Sequence, residues 1–181
     1  RKTTLPAALT PQLATLVETP PQGDWRYEVK FDGYRILARI DGDDVRLFTR
    51  NGHDWTARMP LQAKALASLG LSSAWLDGEV VVANAEGIAD FQALQNAFDS
   101  ERDTDIVYYL FDLPFLGGQD LRQLPLQERR NTLQQLLDQR HQLRQVDAPR
   151  ATLTARGGGP QQVIKQSHGV LPVCAPQWQA S

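Results

Sequence analysis

The chain of 181 residues carries 19 Lys and Arg against 21 Asp and Glu, a formal net charge of −2. No overall positive field draws it to a polyanion, although a local basic patch can coexist with such a total. A hydrophobic share of 41% and a charged share of 22% are those of an ordinary globular protein with one main domain.

The single Cys174 excludes an internal disulfide, and His53, His141 and His168 are too scattered for a zinc-type cluster. No apolar run approaches the roughly 20 residues that span a bilayer. The N-terminal lead breaks at Pro6, Pro11, Pro20 and Pro21 and has no apolar signal core. The expectation is a soluble, cytoplasmic protein without a membrane partner.

After that lead, residues 25–32 read as a strand, "YRILARI" as a second, and "VRLFTR" as its hairpin partner across the turn "DGDD". Asn51-Gly52 accepts positive φ and marks a tight turn. Met59, Ala63, Leu66 and Leu69 recur at helical spacing and stop at Gly70. "AWLDGEVVVAN" reads as a strand interrupted at Asp77-Gly78. A helix then carries Phe91, Leu94 and Phe98 on one face behind Asp90 as N-cap.

"DIVYYLFDLPFLGG" is an apolar strand expected to be ended by Pro114 and the paired glycines. Pro125 opens a helix with Leu126, Leu133, Leu136 and Leu137 as its buried stripe. The fold class is therefore α+β, with mostly antiparallel sheets flanked by helices. From residue 142 the period is lost among glycines and prolines, so 142–181 is expected to be an irregular tail.

Within "YEVKFDGYR", Glu28, Lys30 and Asp32 alternate with Tyr27, Val29 and Phe31, so the three charged side chains share one strand face. That face is either wetted, with weak cross-strand ion pairs, or a site. A free lysine amine has a pKa of roughly 10.4 and becomes a nucleophile only when desolvation or a nearby cation lowers it. Tyr27, Val29, Phe31 and Tyr34 could wall such an amine, and Arg35 could supply the cation.

Lys30-Phe31-Asp32-Gly33-Tyr34-Arg35 matches the K-x-D-G-x-R signature of the covalent nucleotidyltransferases. "FTRNGHDWT", "WLDGEVVV" and "VYYLFDLPFLGGQDLRQLPLQERR" follow in the order and spacing of further motifs. With these, residues 5–141 resemble the adenylation domain of ATP-dependent DNA ligases, most nearly the ligase module of bacterial end-joining ligases. The resemblance implies a nucleotidyltransferase (ATP-grasp-like) fold over residues 1–141. It also implies nick sealing through a covalent lysyl-AMP in DNA repair and recombination, with nicked double-stranded DNA and other end-joining repair proteins as partners.

By the same resemblance Lys30 attacks the α-phosphorus of ATP, Glu28 contacts adenine, and Arg35 and Arg50 hold phosphate or ribose oxygens. Glu79 contacts ribose and organises Mg²⁺ or Mn²⁺, and Phe111 stacks on adenine. Read without it, Arg50 caps a hairpin as readily, Glu79 is a turn carboxylate, and Phe111 belongs in the core. Asp112 is structural or supports the site from behind, and His53 is a surface histidine.

Two later motifs of the family, E-G-x-x-x-K and K-x-K, are not intact. "QQVIKQSHG" echoes the first, with Lys165 in place and Gln161-Gln162 where Glu-Gly would stand. An oligonucleotide-binding barrel is also expected to be absent. The alternatives to a ligase are a catalytically impaired nucleotide-binding fragment or scaffold, and an RNA ligase or capping-type nucleotidyltransferase.

Overall fold

A computed structural model of the chain describes residues 3–13, 15–16, 31–84, 86–100, 103–142, 153–155 and 173–174. A two-residue strand β1 (Thr15–Leu16) comes first, followed by the hairpin β2 (Tyr34–Asp41) and β3 (Asp44–Thr49). That hairpin closes through Gly42, whose φ of 59° is a left-handed value that glycine adopts without strain. Phe31, Asp32 and Gly33 form a bend leading into β2, so the strand expected over 25–32 does not include 31 and 32. The rest of that expectation lies outside the described residues.

Helix α1 (Pro60–Ala67) begins with proline, whose missing N–H is no loss in a first turn. Strand β4 (Ser73–Val81) runs through Asp77-Gly78 without the interruption expected there. Helix α2 (Phe91–Asp99) is capped as predicted, the Ala93 N–H donating to the Asp90 carboxylate at 2.9 Å. Strand β5 (Val107–Leu116) continues past Pro114 to a short β6 (Gln119–Asp120). Helix α3 (Leu126–Gln142) then follows Pro125, and β7 (Leu153–Ala155) and β8 (Val173–Cys174) are brief.

The principal sheet has the order β3-β2-β4-β5-β6, antiparallel throughout, with β7 added in parallel beside β5. β1 and β8 pair separately. The strand alternation sorts side chains onto two faces. Ile36, Ala38, Ile40, Leu47, Ala74, Leu76 and Val80 point to one side. There they pack with Met59 and Leu66 near α1, Leu94 and Ala97 of α2, and Leu133 and Leu137 of α3.

All three helices thus bury their apolar stripes on the same face. The opposite face holds a smaller cluster of Leu37, Trp75 and Phe115, covered by Leu5 and Leu9 of the N-terminal lead. The Trp75 indole N–H donates to the Pro6 carbonyl at 2.9 Å and ties that lead down.

Two irregularities in the β4–β5 pairing explain why β5 survives its proline. Trp75 pairs with Phe115 and Asp77 with Asp112, so Leu113 and Pro114 together oppose one residue of β4. A proline in such a bulge withholds no N–H from the ladder. The second shift falls between Asp77 and Gly78, which face Asp112 and Leu110 and leave Phe111 out of the register. No helix among the described residues is long and apolar enough to cross a membrane.

Candidate functional site

Beyond the Trp75 cluster, the face opposite α1, α2 and α3 is polar. Arg35 of β2, Glu79 of β4 and Tyr109 of β5 stand in one register row, and Asp77 lies two residues along β4 on the same side. The Arg35 guanidinium donates to both oxygens of Asp77 at 2.6 and 2.7 Å. It also approaches the Gln12 carbonyl of the N-terminal lead at 3.4 Å. Asp77 is 1% exposed while Arg35 is half-buried.

Burial opposes the Arg35 charge, but its hydrogen bonds to Asp77 and the charges of Asp77 and Glu79 outweigh that and hold it above the ordinary range. Burial likewise pushes the Asp77 carboxyl above the usual carboxylate range, with Arg35 pulling the other way. The pair presents a cation fixed in one orientation. Asp77 also accounts for the unbroken β4: its charge is met by a planar two-point donor instead of by a turn into water.

Phe111, the residue left out of register, turns its ring to this face, where the Arg35 guanidinium carbon lies 4.4 Å from the ring centroid. Its carbonyl accepts from Arg130 Nε at 2.9 Å. The adjacent Asp112 receives both a 2.7 Å and a 2.9 Å bond from Arg129, and both side chains are almost wholly buried. Asp112 is thus structural, which was one of the two roles open to it.

The bend at 31–33 enters from the same end. Phe31 stacks on Tyr109 with centroids 4.6 Å apart and planes 10° from parallel. A Cβ on Gly33 would stand 2.2 Å from the Val80 carbonyl oxygen and 3.2 Å from Cγ of Glu79, so only glycine allows this approach. Arg50 is exposed, one residue beyond Thr49, which pairs with Ile36. Extending that register puts Arg50 level with Arg35 at the sheet edge. His53 is exposed in the following turn.

The structure therefore brings Arg35, Glu79 and Phe111 to one end of one sheet face, with Arg50 on its rim. Lys30 and Glu28 lie outside the described residues, as do Lys165 and the Gln161-Gln162 pair. Sequence reasoning did not single out Asp77 or Tyr109 as parts of this face, or Arg130 as the partner of the Phe111 carbonyl behind it. For Asp77 a signal existed: a carboxylate between the apolar residues Trp75-Leu76 and the close-packed Gly78 implies a buried partner.

An aromatic ring, a fixed guanidinium and a half-buried carboxylate together suit a planar heteroaromatic ligand bearing sugar hydroxyls and phosphates. Among the described residues no group of three or more His, Cys, Asp or Glu could hold a metal ion.

Comparison with known proteins agrees with this chemistry. Residues 5–155 match the family described as "ATP dependent DNA ligase domain". Over 139 residues, 77% of the chain, it is 58% identical to a multifunctional non-homologous end joining protein LigD of Pseudomonas aeruginosa. It is 40% identical over 131 residues, 71% of the chain, to the LigD of Mycobacterium tuberculosis. The chain spans 16% and 17% of the lengths of these two relatives.

Among solved structures it resembles the ligase domain of M. tuberculosis LigD, with a TM-score of 0.57 at 36% identity over 64% of this chain and 38% of that one. It also resembles a mycobacterial DNA ligase D complexed with ATP and MES, with a TM-score of 0.56 at 34% identity over 72% of this chain and 41% of that one.

Proposed function

Given that the chain belongs to the ATP-dependent DNA ligase domain family, we propose that it provides the nucleotide site of a ligase that seals nicks in double-stranded DNA. Lys30, as the free amine, attacks the α-phosphorus of ATP. The N–P bond forms as the bond to the pyrophosphate oxygen breaks, and AMP stays on the lysine. The AMP then passes to a 5′-phosphate at a nick, and attack by the neighbouring 3′-hydroxyl joins the strands and releases AMP.

The observation that carries this reading is the convergence of Arg35, Glu79 and Phe111 beside Phe31 and Gly33. Those last two flank Asp32 directly after Lys30 in the chain, so the nucleophile's neighbours are held against the face where the nucleotide would lie.

Each side chain has a role set by its chemistry. Phe111 offers a flat apolar surface to adenine, and Glu28 an acceptor to its edge. Arg35, held by Asp77, presents a positive charge that needs no reorientation as negative charge builds on the phosphate. Arg50, exposed at the rim, is placed for a phosphate or ribose oxygen.

Asp77 and Asp112 each commit both oxygens to an arginine, and the family resemblance assigns the divalent ion to Glu79, half-buried on this face. One carboxylate fits magnesium, which keeps several waters and binds substrate phosphates in place of a full protein cage. When bound, that ion offsets charge on the triphosphate oxygens. Glu79 itself accepts from the ribose.

The test is incubation with α-labelled ATP and Mg²⁺, followed by denaturing electrophoresis. Covalent label on the intact chain that is lost in Lys30→Ala is the expected result. ATP binding without label identifies a nucleotide-binding fragment instead. Transfer of label to nicked DNA but not to nicked RNA separates the DNA ligase from the RNA ligase.

A further inference from the structure

Phe111 occupies an unusual place in the sheet. It is omitted from the β4 register by the shift between Asp77 and Gly78. On its other side β7 pairs only as far as Leu110, and β6 begins pairing at Phe115. The residue proposed to carry the base thus stands in a gap between described ladders. Among the described residues no strand pairs with it, and a different element constrains its backbone.

α3 supplies that constraint. Arg130 Nε donates to the Phe111 carbonyl at 2.9 Å. Arg129, its neighbour, grips the Asp112 carboxylate with two bonds and donates from Nη1 to the Leu124 carbonyl at 2.6 Å. The Asp112 carboxylate in turn accepts from the Leu113 N–H at 2.8 Å, completing the attachment of the bulge. Arg129 therefore anchors the bulge to the helix, and Arg130 fixes the peptide plane of the residue that bears the ring.

We infer that Arg130 is a positioning residue for the base, acting through the Phe111 carbonyl to hold the ring at the angle that stacking requires. It touches neither phosphate nor sugar in this role, so its contribution is confined to the base-dependent part of nucleotide affinity. The inference rests on the proposed stacking of adenine on Phe111. Stacking is sensitive to ring tilt and offset, so a peptide plane free to rotate weakens it without disturbing the charged groups.

The experiment compares dissociation constants of ATP and of inorganic tripolyphosphate, each with Mg²⁺, for the full chain and its variants. Arg130→Met keeps the aliphatic stem and removes the donor. Arg130→Lys keeps the charge but puts a methylene where Nε stands.

Both are expected to weaken ATP about 3- to 10-fold, the range of one hydrogen bond, and to leave tripolyphosphate within about twofold. Equal weakening of both ligands, or unchanged ATP affinity in either folded variant, overturns the inference. Should the Met variant not fold, the Lys variant decides alone.

Phe111→Ala separates the two claims. If it weakens ATP selectively while the Arg130 variants do not, the inference fails and the stacking role stands. If Phe111→Ala is without effect, the stacking role fails and the inference with it.

Discussion

The ring of Tyr108 crosses over Gly78, and its hydroxyl donates to the Ile36 carbonyl at 2.8 Å, tying β5 to β2 across the intervening β4. A Cβ on Gly78 would stand 2.7 Å from Cε2 of that ring and 2.3 Å from the Tyr109 carbonyl oxygen. Gly78 is therefore demanded by space, since its backbone is ordinary strand. Burial pushes the Tyr108 phenol well above its usual range, so it stays a donor at any ordinary pH.

Gly78→Ala is expected to destabilise the fold by about 1–3 kcal/mol through overpacking. Urea unfolding followed by circular dichroism measures it, and a midpoint within error of the wild type would refute the steric account. Because Glu79 and Asp77 flank the position, a shifted β4 also displaces the site.

The Arg129–Asp112 pair makes a second prediction. Both groups are nearly inaccessible, so Arg129→Met alone, which strands a buried carboxylate, is expected to cost about 3–5 kcal/mol. Asp112→Leu combined with Arg129→Met removes both charges and should recover much of that loss. A double variant as unstable as the sum of the singles would show that the pair is not coupled.

Removing the cation from the Arg35–Asp77 pair should expose the carboxylate's burial as a pH dependence. Asp77 already titrates above the usual range because of burial, and in Arg35→Leu only the Gly78 N–H still bonds it in compensation. The folded-state pKa then lies further above the unfolded value of about 3.9. The folded state holds the proton more tightly, so the contribution to stability is fully present below the unfolded pKa. It is lost as pH rises through the folded pKa. Arg35→Leu measured against Arg35→Leu/Asp77→Asn should show this falling limb in the single variant alone; parallel profiles would contradict it.

Asp54 behaves in the opposite sense. Its carboxylate accepts from the Thr56 hydroxyl at 2.5 Å and from the Thr56 N–H at 2.9 Å. These bonds, the hydroxyl first, hold its pKa below the usual range. Its stabilisation is present above the unfolded pKa and lost as pH falls through the folded one. Thr56→Val should move the Asp54 carboxyl resonance upward in an NMR titration, and no movement would remove the hydroxyl as cause. Asp54 bridges back to Phe48, so this bond also shapes the turn that follows Arg50.

The sequence by itself determined the hairpin at 34–49, the capped helix at 91–99 and the stripe of α3, because period and cap chemistry are local properties. It also carried the family through Lys30-Phe31-Asp32-Gly33-Tyr34-Arg35. It misread β4 as broken at Asp77-Gly78, and of the two stops set for β5, Pro114 and the paired glycines, only the glycines hold, because local rules treat a charged residue, a glycine or a proline alike as punctuation. What cancels each signal is distant: Arg35 neutralises Asp77 from 42 residues away, Tyr108 fills the space over Gly78, and a bulge against β4 frees Pro114 from the ladder. Only the tertiary structure could assign Phe111 to the bulge and Arg130 to its carbonyl, since the contact joins a strand to a helix 19 residues on. Its geometry depends on a register shift that no periodicity encodes.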